Sequence, residues 1–177
     1  MADLYIIDGY NLMHALEPGA VTAANLENKR RSLIEQVVNV AAAGGAEAVV
    51  VFDSSSARKE TASQVPGAPV SIRFASRKES ADIVIGKLVQ EALKKTGKGG
   101  GREYERIVVV SADWEVQRGS MHGRASRLPP RHFIAELKKI EKRVALSSEM
   151  DRMHWKIEDK VDVETLKKLE RMRRGQR

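Results

Sequence analysis

Short apolar runs alternate along the chain with longer segments whose apolar residues recur at helical spacing. The runs are Leu4-Tyr5-Ile6-Ile7, Val49-Val50-Val51-Phe52 and Ile107-Val108-Val109-Val110. Each is continuous, the pattern of a strand buried on both faces, whereas a half-exposed strand alternates. Between the first two, Leu26, Leu33, Val37, Val40 and Ala41 predict a helix over Leu26–Ala43, ended by Gly44-Gly45. The second strand is expected at Ala48–Asp53 and the last at Arg106–Ser111. Ser80 is a candidate cap for a helix reaching Lys95, with Ile85, Leu88, Val89 and Ala92 as its inward stripe. Val70–Phe74, after Pro66-Gly67 and Pro69, predicts a short, more exposed strand, and Ser54–Gln64 predicts a polar loop. Phe133, Ile134, Leu137 and Ile140 form another stripe with Pro130 near its first turn. Beyond about Ala145 the chain is strongly charged, with Asp162 placed to cap a final helix.

Strands alternating with helices of this length predict an α/β fold of three layers, a mostly parallel sheet flanked by helices. The expected division is a domain over 1–146 and a basic, helical extension over 147–177.

Three of these runs close on an acid: Asp8, Asp53 and Asp113. In a parallel sheet all strand C-termini emerge on one edge, where ligands bind. A fourth acid, Asp82, sits in the first turn of the helix from Ser80. With 24 acids in 177 positions, all three strand ends would be acidic by chance about once in 400. Each acid also has a plain structural use, in a turn, a cap or at the positive end of a helix. Gathered together they would repel one another, by about 4 kcal/mol for a pair 4 Å apart at an effective dielectric of 20. A divalent cation relieves that repulsion. Hard carboxylate oxygens suit Mg²⁺ or Mn²⁺, which stabilise charge on a scissile phosphate and activate water. Asn11 in Asp8-Gly9-Tyr10-Asn11, Ser111 and Glu79 are candidate accessories.

Charge narrows the substrate. Lys and Arg number 31 against 24 acids, a formal charge of +7 with a sequence pI near 9.7. Such an excess suits a polyanion, nucleic acid above all, although a solvated charged surface has the same composition. Val116–Ala135 holds no acid but carries Arg118, Arg124, Arg127 and Arg131, and it follows Asp113 closely. Arg73, Arg77 and Lys78, before the Asp82 helix, would extend a phosphate track. Tyr10 and Trp114 flank two of the acids and would either stack unpaired bases or pack in the core. His14, His122 and His132 are too isolated to assign as a general base.

Several classes drop out. The absence of cysteine rules out disulfides, a thiolate nucleophile and zinc-thiolate sites. No apolar run approaches the roughly 18 residues of a membrane span, and Met1 leads almost directly into a strand, so a cytoplasmic location without leader or membrane anchor is expected. Gly97-Lys98-Gly99-Gly100-Gly101 precedes a strand and is no Walker loop. An aspartyl phosphatase would want a second Asp where Tyr10 stands.

Ile6-Ile7-Asp8-Gly9-Tyr10-Asn11, Phe52-Asp53, Glu79-Ser80-Ala81-Asp82, Val110-Ser111-Ala112-Asp113 and Gln117-Arg118-Gly119 together resemble the YacP-like NYN domain family of the PIN-like, FLAP-nuclease-like superfamily. The resemblance covers roughly Asp3 to Leu146. It implies a PIN-like (NYN) fold and a metal-dependent endoribonuclease cutting single-stranded RNA, with mRNA as substrate and, for some members, the ribosome as partner. By the same resemblance Asp8, Asp82 and Asp113 hold the metal, with Asn11 and Asp53 beside them. Ala112 stands where a serine or threonine often precedes the last aspartate, leaving less hydrogen-bonding support there. The competing expectation is a noncatalytic RNA- or ribosome-binding protein on the same fold. No reader of the 2′-hydroxyl is evident, so DNA stays open as a substrate, and nothing specifies an oligomeric state.

Overall fold

The computed structural model describes residues 2–53, 61–76, 78–95, 104–112 and 125–158, with side chains as far as 147 apart from 141 and 144. In chain order the elements are β1 (Ala2–Asp8), α1 (Gly9–Leu16), α2 (Leu26–Gly44), β2 (Glu47–Phe52), β3 (Thr61–Gln64), β4 (Val70–Phe74), α3 (Ala81–Lys95), β5 (Tyr104–Val110), β6 (Ala125–Leu128) and α4 (Pro130–Glu158). The strands form one sheet in the order β3-β4-β2-β1-β5-β6, parallel throughout except for β3 at one edge. The chain divides by its contacts into two units, Met1–Ile140 and Glu141–Arg177; the sheet belongs to the first.

The continuous apolar runs fill both faces of the sheet, as their pattern predicts. Ile7, Val50, Phe52, Val108 and Val110 pack with Leu12 and Met13 of α1, Leu33 and Val37 of α2, and Phe133 and Leu137 of α4. Leu4, Ile6, Val51, Ile107 and Val109 face the other way, onto Val84, Ile85, Val89 and Ala92 of α3. Gly45 closes α2 in the left-handed region (φ 60°), donating its N–H to the carbonyls of Ala41 and Ala42. The fold class is therefore the expected three-layer α/β sandwich.

Four local expectations change. A helix, α1, begins at Gly9 directly after β1, where Asp8-Gly9 reads equally well as a turn. Thr61–Gln64, expected within a loop, is the antiparallel edge strand β3; Ala125–Leu128, within the acid-free stretch Val116–Ala135 for which no strand is expected, is the parallel edge strand β6. Neither has an apolar run, because an edge strand is held by backbone hydrogen bonds and buries little side chain. The strand Val70–Phe74 lies inside the sheet between β2 and β3, with Val70 fully buried. Ser80 stands where the cap is expected, directly before α3, its carbonyl accepting from Ile83 and Val84, and the Asp53 carboxylate accepts the Ala81 N–H at the same helix start.

Candidate active site

The site grows from the C-terminal edge of the sheet. Asp8 ends β1 opposite Val51 of β2, while Ile7 pairs with Val110 of β5, so the end of β1 lies between those two strands. Successive connections run from β1 toward β2 in one direction and from β4 toward β5 in the other. The reversal falls between β1 and β5, which is where such sheets open a ligand crevice.

Asp8 caps α1. Its Oδ1 accepts the Asn11 backbone N–H at 2.9 Å, and the Asn11 side-chain amide donates to the same carboxylate. The helix can start this close to the sheet because residue 9 lacks a side chain: a Cβ on Gly9 would lie 2.2 Å from Cε1 of Phe52. Asp8 is only 9% exposed. Burial is the main reason its pKa rises above the ordinary carboxylate value; the charges of Asp82 and Asp53 push the same way, and the Asn11 hydrogen bonds oppose them.

Asp53, one residue past β2, accepts the Ala81 N–H on Oδ1 at 2.7 Å. That bond ties the first residue of α3 to the end of β2 and so places the next residue, Asp82, half-buried and close enough for its charge to act on Asp8. The structure thus brings together Asp8, Asn11, Asp53 and Asp82. Asp113 lies outside the described residues, and β5 reaches the fully buried Ser111 and then Ala112 just before it. Among the described residues no group of three or more acids or histidines is spaced to hold a metal ion. The donors present are nonetheless of the right kind. They are hard oxygens, and a cation would stabilise the ionised form of a buried carboxylate on which the charges of Asp82 and Asp53 act.

Around this edge the basic residues separate. Arg127 and Arg131 are exposed on β6 and the start of α4, beside Ala112. Lys78 is exposed in the turn before α3, where Glu79 is paired with Lys87 at 2.5 Å. Arg73 is half-buried on the α3 side of β4, lining a cavity of about 170 Å³ with Leu88 and Glu91. Arg77, Arg118 and Arg124 fall outside the described residues, as do Trp114 and His122.

Sequence reasoning missed Arg30. Its guanidinium lies 5.3 Å from the ring centroid of Tyr10 and 5.4 Å from those of Phe52 and Phe74, and it donates a hydrogen bond to the Tyr10 hydroxyl. Tyr10 also meets Phe52 edge-on at 5.4 Å, so its ring is already engaged by the protein, and a base stacking on the face that Arg30 covers would have to displace the guanidinium. The signal was present: Arg30 falls on the inward stripe of α2 with Leu26, Leu33 and Val37, a charge at a core position.

A family model described as "YacP-like NYN domain" matches residues 5–174. The chain belongs to that family. Two solved structures of Rae1 (YacP) from Bacillus subtilis are similar to this YacP-like chain over nearly its whole length. One is 26% identical and covers 98% of this chain and 95% of the other, with a TM-score of 0.63. The second, a point mutant of the same Bacillus protein, is 23% identical and covers 94% and 89%, with a TM-score of 0.62, a likeness of fold. No curated protein matches. The NYN assignment makes this a nuclease-fold protein, and among the described residues no helix is long and apolar enough to cross a membrane.

Proposed function

We propose that this YacP-like protein is a metal-dependent endoribonuclease that cuts single-stranded RNA, with mRNA as its natural substrate and the ribosome as the setting in which it meets it. The observation that carries the reading is the buried Asp8 carboxylate at the crevice, within electrostatic reach of Asp82 and Asp53. Asp8, Asp82 and Asp113 are the proposed metal-holding acids. A Mg²⁺ or Mn²⁺ ion held there supplies Lewis-acid stabilisation of the charge that develops on a scissile phosphate. The two Asn11 donors hold Asp8 in one orientation, and Asp53 holds the start of α3, and hence Asp82, against the sheet. Arg118, Arg124, Arg127 and Arg131 are the proposed phosphate contacts, extended by Arg73, Arg77 and Lys78. The net charge of +7 supports a polyanionic substrate.

The deciding experiment incubates labelled RNA with the protein, with and without translating ribosomes, each with and without chelator, alongside Asp8→Asn and Asp113→Asn. Cleavage is expected in wild type, suppressed by chelator and lost in both folded variants. Variants that cut at the wild-type rate would remove these acids from the chemistry. Binding without any cleavage would leave a noncatalytic RNA- or ribosome-binding protein.

A further inference from the structure

On the sheet edge that carries Asp8, the residues Ala15, Ala112, Arg127, Pro129, Pro130 and Arg131 line a cavity of about 270 Å³. Topology fixes its position. Ala112 stands two residues past Val110, the partner of Ile7, which puts it level with the turn from Asp8 into α1. Ala15 is on the last turn of α1, about 9 Å along the axis from Gly9 at 1.5 Å per residue. Arg127 is paired with Val109 in β6, and Pro129-Pro130 carry the chain from that strand into α4.

Two chemistries meet in this lining. Alanine methyls and proline rings offer apolar surface with no hydrogen-bonding groups, while two exposed guanidinium groups offer donors to an anion. A ligand matching both has a flat apolar ring joined to a phosphate, which describes a nucleotide. Small-molecule sites usually span about 300–1,000 Å³, so a cavity just below that range suits one base and not a larger partner. We infer that it seats a single unstacked base of the RNA strand near the scissile phosphodiester, with a neighbouring phosphate on Arg127 and Arg131. This rests on the nuclease reading of the Asp8 edge and adds to it a subsite that sets strand register. The alanine and proline surfaces that would meet the face of the base carry no donors or acceptors, so that contact is sequence-tolerant.

The test uses the full-length Asp8→Asn protein and single-stranded RNA octamers in which one base at a time is replaced by an abasic ribose, with binding read by fluorescence anisotropy. One position is expected at which loss of the base weakens binding by about tenfold. Ala15→Phe, which fills the cavity from an exposed position, should weaken binding of intact RNA to the same degree and abolish the difference at that position. Ala112→Phe, also at an exposed position, should do the same if Ala15→Phe fails to fold. Arg131→Ala should weaken all octamers alike and lower the salt slope by about one. The absence of any sensitive position, or cavity-filling variants that bind intact RNA like the parent, would overturn the subsite. Wild-type cleavage of the same octamers separates the two readings. A sensitive position without cleavage keeps the subsite and removes the nuclease, and cleavage without a sensitive position does the reverse.

Discussion

The carboxylate of Asp53 accepts the backbone N–H of Ala81 at 2.7 Å, across 28 residues of chain. It therefore performs for α3 what a local cap usually does, and it couples the helix that carries Asp82 to the strand beside Asp8. Asp53→Asn keeps an oxygen acceptor at this position, and Asp53→Ala does not. The alanine variant is expected to lose about 1 kcal/mol of stability, and the asparagine variant much less. Cleavage should fall further in Asp53→Ala, because Asp82 loses its placement. Urea titrations paired with cleavage rates would check this. Equal stability of the two variants would mean that the bond contributes nothing.

A second prediction concerns Asp8 and pH. Burial, reinforced by Asp82 and Asp53, holds its folded-state pKa above the ordinary 3.8. A group shifted this way favours folding below that value, and the contribution is lost as pH rises through the raised pKa. At neutral pH the ionised carboxylate is thus a cost to stability that Asp8→Asn removes. Without divalent ions the variant should melt above wild type at pH 7, and the gap should close near pH 3. Added Mg²⁺ should raise the wild-type melting temperature and leave Asp8→Asn unmoved. A wild type that matches the variant at pH 7 would show that the Asn11 hydrogen bonds outweigh burial.

What the sequence made legible follows from how each element is held. β1, β2 and β5 announce themselves because covering both faces demands unbroken apolar runs. α2 and α3 show through their inward stripes. β3 and β6 stayed hidden because backbone pairing at an edge leaves no mark in side-chain pattern. Asp8 was legible as an acid at a strand end. Its role as the cap of α1 was not distinguishable from a turn, and the bond from Asp53 to Ala81 joins positions that no local pattern relates. The cavity beside Ala112 escaped for a similar reason: its walls come from the ends of α1, β5, β6 and α4.

Two glycines give a sharper contrast. A Cβ on Gly9 would meet the Phe52 ring at 2.2, 2.5 and 2.8 Å, and Phe52 is fully buried, stacked on Phe74 at 5.6 Å and braced by Tyr10. The ring has nowhere to retreat, so Gly9→Ala must push α1 off the sheet and carry Asp8 with it. Overpacking of this kind costs about 1–3 kcal/mol, and the loss of cleavage should exceed what reduced folding explains. Gly86, in the middle of α3, has nothing within 4 Å of an added Cβ. Gly86→Ala should therefore stabilise the protein by about 0.5–1 kcal/mol, through helix propensity and a less flexible unfolded chain. Denaturant midpoints for the two variants, read with cleavage per folded molecule, decide the matter. A Gly9→Ala protein as stable and active as wild type would mean that the approach of α1 to Phe52 is looser than the contact distances require.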